Sequence, residues 1–251
     1  MSALLDPLLR LDLGTWGLLL ALTAAIAGGA AQSALGFGAA FTTVPALAIV
    51  APELLPGAVL VALLPLSLVM LVQGFARTDV RAAGRLTLGR LPGIAVGTVA
   101  VALLPTRGLT VATGLLLLLA VVVSVAGWTV AVTPGSELVA GFLSGVTGTA
   151  AALGGPPIAL LYRGRGASTL RPTLALVWAV GLVPIIGSLW LAGEFTADQA
   201  RAGSVLGIAM LAGLAGAAPL VRRWPDEAIR RGVLAWAAVG AVGALARALV
   251  G

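Results

Sequence analysis

Apolar runs long enough to cross a membrane follow one another along almost the whole chain, separated by short polar links. Residues 13–52 are uncharged, and residues 54–76 follow. A link with Arg77, Arg81, Arg85 and Arg90 leads to the run 91–106, which ends at Arg107. Residues 108–136 and 138–162 are the next runs, parted by Glu137. A second basic link holds Arg163, Arg165 and Arg171. Residues 172–193 and 202–221 are joined through Glu194, Asp198 and Arg201. A third basic link with Arg222, Arg223, Arg230 and Arg231 precedes the last run, 232–246. A transmembrane helix needs about 20 apolar residues, so this pattern predicts an all-α polytopic membrane protein. The first run has the look of a signal peptide but continues well past the small residues at 30–34, so it is expected to be retained.

The pattern repeats. Offset by 112 residues, Gly29 meets Gly141, Gly36 meets Gly148, and Pro45 meets Pro157. Offset by 119, Gly74 meets Gly193, Asp79 meets Asp198, and Gly97 meets Gly216. This predicts two homologous halves, 1–132 and 133–251, of about four apolar segments each. Duplicated halves are a common architecture of secondary transporters.

Arginine placement constrains the topology. With every segment a single crossing, the two sides of the membrane would collect seven and eight arginines, against the positive-inside tendency. If the first segment of each half enters and returns, all three basic links share one side, with eleven arginines against four. That arrangement makes the halves inverted repeats with re-entrant first segments. It places the basic links on the cytoplasmic side of the membrane.

The two first segments are also where a helix is expected to break. One contains Gln32, Ser33, Gly36, Gly38, Thr42, Thr43 and Pro45; the other contains Ser144, Thr147, Gly148, Thr149, Gly154, Gly155, Pro156 and Pro157. Glycine frees the backbone and proline removes a donor. Broken backbone at membrane depth persists only where protein or a water-filled cavity satisfies it. Because proline favours the first turn of a helix, half-helices are expected to begin near Thr43 and Gly155. Their free N–H groups and the nearby hydroxyls would suit an anion. These fifteen residues are the candidate substrate-binding set. Small residues also line ordinary helix contacts in membranes, and that reading stands beside the functional one for each Ser and Thr. Arg77 and Arg163 are candidate vestibule residues that would attract anions, although arginines beside apolar runs commonly serve topology alone. Trp178 lies deep in its run and either packs or lines a cavity.

Composition narrows the functions. Apolar residues make up 60% of the chain and charged residues 10%, with a mean hydropathy of +1.11. There is no lysine, histidine or cysteine, and the formal net charge is +6. The absence of histidine and cysteine removes the usual zinc and haem ligand sets and the Ser-His and Cys-His nucleophile pairs. No cofactor, no metal and no enzymatic activity are expected. The positive charge is read as topology rather than nucleic-acid binding. The expected partners are the lipid bilayer and a small anionic substrate, and the small-residue faces are compatible with homo-oligomerisation.

At Gly36-Phe37-Gly38-Ala39-Ala40 with Val44-Pro45-Ala46-Leu47, and at Gly141-Phe142-Leu143-Ser144-Gly145-Val146-Thr147-Gly148 with Gly154-Gly155-Pro156-Pro157, the sequence resembles the TauE/SafE sulfite exporter family of bacterial membrane transporters. The resemblance extends over roughly residues 16–249. It implies transport of small sulfur-containing anions such as sulfite or organosulfonates. The family's first motif is richer in glycine, and Ala39 and Ala40 stand in its place here.

The expected mechanism is alternating access around a midplane site between the two broken hairpins. Charged residues are expected only at the ends of the apolar runs, which leaves no intramembrane carboxylate relay. The alternatives are an anion channel, an uptake carrier for another small anion, and a membrane subunit that transports nothing.

Overall fold

The computed structural model describes residues 14–126, 130–162, 167–221 and 225–250. Among these residues the chain forms ten α-helices and no strand. In order they are α1 Gly14–Leu35, α2 Ala39–Val50, α3 Gly57–Gly74, α4 Val80–Leu103, α5 Thr106–Ala126, α6 Pro134–Ala151, α7 Gly155–Leu161, α8 Ala167–Leu191, α9 Ala197–Val221 and α10 Asp226–Val250. Six helical stretches among the described residues are long and apolar enough to cross a membrane: Gly14–Leu35, Gly57–Arg77, Val80–Leu103, Thr106–Ala126, Thr169–Leu191 and Glu227–Ala248. Side chains such as Val96, Val99, Leu115, Leu119 and Val122 are exposed on them, as helices facing lipid require.

Local chemistry fixes the helix starts. Asp79 caps α4, its carboxylate accepting from the Ala82 N–H at 2.9 Å. Thr133 and Ser136 form a capping box ahead of α6, with Pro134 in the first turn. The cap at Asp79 carries a correction. The sequence pattern puts Arg81, Arg85 and Arg90 in a loop, yet all three lie on α4. Arg90 is eleven residues past the cap, about 16 Å along the helix at 1.5 Å per residue. A charged residue therefore does lie well inside an apolar segment.

Two close helix pairs organise the bundle. α1 packs on α9 and α6 packs on α4. In both pairs glycine lets backbone meet backbone. A side chain on Gly29 has no room against the Met210 carbonyl, and one on Gly213 none against the Ile26 carbonyl. Gly145 is closed off in the same way by the Arg90 carbonyl, and Gly93 by that of Phe142. Such contacts are how membrane helices gain packing energy in a solvent as apolar as they are. The other contacts include α3 with α9, α8 with α4, α10 with α2, α5 with α7, α3 with α8 and α5 with α10.

α6 and α7 run against each other. The Tyr162 hydroxyl donates to the Glu137 carboxylate, which Arg85 of α4 also reaches. The end of α7 thus returns beside the start of α6.

A cavity between two chain breaks

The chain leaves helical geometry at Gly36–Gly38 and again at Ala152–Gly154. At the first break Gly36 takes φ +77°, in the left-handed region that glycine enters without steric cost. The gap is spanned by one side chain. Gln32 Nε2 donates to the Gly36 carbonyl at 3.0 Å, and Gln32 Oε1 accepts the Ala39 N–H at 3.1 Å. At the second break Ala152 is left-handed at φ 57°, which costs an L-residue roughly 1–2 kcal/mol. The Leu153 N–H bonds back to the Thr147 carbonyl at 3.1 Å, and Thr147 Oγ1 donates to the Leu153 carbonyl at 2.9 Å.

The breaks face one another. Gln32, Phe37, Gly38, Ala40 and Phe41 at the first break, Ala152, Leu153, Gly154 and Gly155 at the second, and Leu63 and Trp178 line one cavity of about 40 Å³. Trp178 Nε1 reaches the Gly36 carbonyl at 3.4 Å, tying α8 to the first break. A Cβ built on Gly154 would come within 2.9 Å of Ser144 Oγ and 3.2 Å of the Trp178 ring.

Behind Trp178 lies Arg90. It is 1% exposed, and its guanidinium sits over the indole at 4.8 Å from the ring centre. Arg90 Nη1 donates to Ser144 Oγ at 3.1 Å, and Arg90 Nε has no hydrogen-bond partner among the described residues. Two glycines make the space. A Cβ on Gly181 would lie 2.8 Å from Nε, and one on Gly148 would lie 3.5 Å from Nη2. No carboxylate among the described residues pairs with it.

The expected site residues therefore divide. Gln32, Gly38, Gly154 and Gly155 line the cavity, and Gly36 presents its carbonyl beside it. Ser144 and Gly148 surround Arg90 instead. Thr42 faces a separate apolar groove between α1, α2 and α10, and its hydroxyl is spent on the Ala39 carbonyl at 2.9 Å. Thr147, Pro156 and Pro157 line another apolar groove against α5. Ser33 donates to the Ala30 carbonyl. Thr43 and Thr149 are fully buried, and neither hydroxyl has a partner among the described residues. Arg77 is exposed at the end of a short 3-10 turn, and Arg163 lies outside the described residues.

One half-helix start differs from expectation. α7 does begin at Gly155, with Pro156 and Pro157 in its first turn. α2 begins at Ala39 rather than near Thr43, so Pro45 is an interior residue, buried against Gly240 of α10. The reason is Gln32: by holding the Ala39 N–H it starts the helix a turn earlier than the proline alone suggests. Sequence reasoning also missed Arg90. The signal was Asp79, a cap residue that starts a helix and carries the following arginines into it.

A family model for the sulfite exporter TauE/SafE matches residues 20–244. The chain belongs to the TauE/SafE family. Neither the curated proteins nor the solved structures contain a match. TauE/SafE proteins are membrane transporters, which agrees with the six apolar helices and the bundle described above.

Proposed function

We propose that this TauE/SafE protein exports small sulfur-containing anions, such as sulfite or organosulfonates, across a bacterial inner membrane. Its substrate passes by alternating access through a midplane site between the two breaks. The observation that carries this reading is the meeting of Phe37–Gly38 and Ala152–Gly155 around one cavity that no carboxylate among the described residues lines. Irregular backbone at membrane depth belongs where it lines a substrate path.

The two halves, 1–132 and 133–251, are read as inverted repeats. The paired helix contacts support this, with an offset of 116 residues from Gly29 to Gly145 and of 120 from Arg90 to Met210. The sequence offset of 112 is then one helical turn short, because Gly141 and Gly145 are a turn apart and either can be matched to Gly29. The Tyr162–Glu137 bond supports a re-entrant α6–α7 hairpin. With the basic links in the cytoplasm, export of an anion runs with the membrane potential, gaining about 2.3 kcal/mol per charge per 100 mV.

The test is electrogenic flux of sulfite, thiosulfate, sulfate, taurine and sulfoacetate in liposomes holding the purified protein. Reversing an imposed potential is expected to reverse the flux of at least one sulfur anion. Flux that follows a proton gradient and ignores the potential would refute uncoupled export.

A further inference from the structure

We propose that Arg90 and Ser144 form the oxyanion-binding centre of this transporter, with Trp178 the aromatic lid that covers the guanidinium between substrates. This rests on the reading of the protein as a carrier of small oxyanions.

Arg90 is a fully buried cation on a membrane-spanning helix. A charge at that depth is costly unless paired or functional. Among the described residues its only polar partner is the Ser144 hydroxyl, its only other compensation is the Trp178 face, and Nε is left open. The guanidinium is thus held in place with a donor unspent. A planar fork of donors is the group that binds two oxygens of an oxyanion at once. A hydroxyl at 3.1 Å supplies a further donor once its proton turns toward the anion.

Packing does not require an arginine there. The Arg90 carbonyl meets Gly145 as the Met210 carbonyl meets Gly29, so Met210 holds the matching place in the other half. Met210 is equally buried. By the same offsets Gly28 stands for Ser144. Leu63 and Trp178 both line the cavity. One half fills the place with methionine and glycine. The other fills it with a cation and a hydroxyl. The shared scaffold is symmetric, and the chemistry is confined to one side of it.

The route to Arg90 is through Trp178, whose ring edge lies against Gly154 at the cavity wall. Indole movement joins the cavity to the guanidinium. Cation–π contact then gives way to a charge-assisted pair with the anion, so the cation is never left bare.

Purified protein titrated with sodium sulfite, sulfate, phosphate and chloride, followed by calorimetry and by tryptophan fluorescence, tests the proposal. Wild type is expected to bind at least one oxyanion, to bind chloride at least tenfold more weakly, and to change fluorescence as it binds. R90Q is expected to lose binding, R90K to weaken it at least tenfold, and S144A to weaken it a few-fold. W178F is expected to bind with the fluorescence change removed. R90K and S144A keep the charge and the fold should R90Q not assemble. Oxyanion binding within twofold of wild type in R90K and S144A would overturn the proposal. So would the absence of oxyanion binding in wild type, or a preference for chloride. Flux in liposomes separates the two readings. Unchanged flux in R90K with wild-type affinity removes Arg90 and leaves the transporter. Arg90-dependent binding without wild-type flux keeps the site and removes the export reading.

Discussion

Gly155 opens α7 directly against Phe37 of the first break: a Cβ built on the glycine would lie 3.3 Å from Phe37 Cβ. The start of α7 thus touches the first break at the cavity. A methyl group fits there only if Phe37 gives by a few tenths of an ångström. Gly155→Ala is therefore expected to cost less than about 1.5 kcal/mol of stability while slowing substrate flux severalfold. Thermal unfolding in detergent and liposome flux, measured on the same preparation, check both halves of that expectation.

Gln32 holds the first break together from inside. Replacing it with leucine strands the Ala39 N–H and leaves the Gly36 carbonyl only its long contact with Trp178. A stranded buried polar group costs about 1–3 kcal/mol. Gln32→Leu is expected to lower thermal stability by that order, and Gln32→Glu less, since one oxygen still accepts from Ala39. Equal melting temperatures for wild type and Gln32→Leu would contradict the bridging role.

The base of the α6–α7 hairpin is fastened by Tyr162 and Glu137. Tyr162→Phe removes one donor from a buried carboxylate that Arg85 continues to serve. A loss of about 1–2 kcal/mol is expected. A double-mutant cycle with Glu137→Gln is expected to give a coupling energy above about 0.5 kcal/mol. Additive effects would mean that the two side chains do not act together.

The glycine contacts make a paired prediction. Gly29→Val and Gly145→Val each force a side chain into the carbonyl of a facing helix, Met210 in one case and Arg90 in the other. Both variants are expected to assemble poorly, to similar degrees, because the two helix pairs are built alike. Gly216→Val, where a side chain meets nothing, is the control and is expected to behave as wild type. Yield of monodisperse protein after size exclusion is the measurement.

The hydrophobic runs were enough to read an all-helical membrane protein, and the glycines at 36, 38 and 154 lie where the chain leaves helical geometry. Composition in a membrane solvent dictates these directly. Pro45 misled because a side chain seven residues before the helix start, Gln32, supplies the cap that a local reading assigns to proline. Arg90 was hidden among topology-setting arginines because its depth depends on where α4 begins. Its pocket comes from Ser144, Trp178, Gly148 and Gly181, which lie on α6 and α8, far away in sequence. Thr42 and Thr147 carried the right chemistry for an anion but spend their hydroxyls on main-chain carbonyls, those of Ala39 and Leu153.

The most direct test of the central claim is potential-driven efflux of sulfite from liposomes containing wild type or Gly155→Leu. Leucine at this position fills the cavity between the breaks and leaves the glycine-packed helix pairs untouched. The account predicts sulfite flux in wild type and its loss in a Gly155→Leu protein that still elutes and melts as a folded species. Undiminished flux through folded Gly155→Leu would place the path elsewhere and contradict the account.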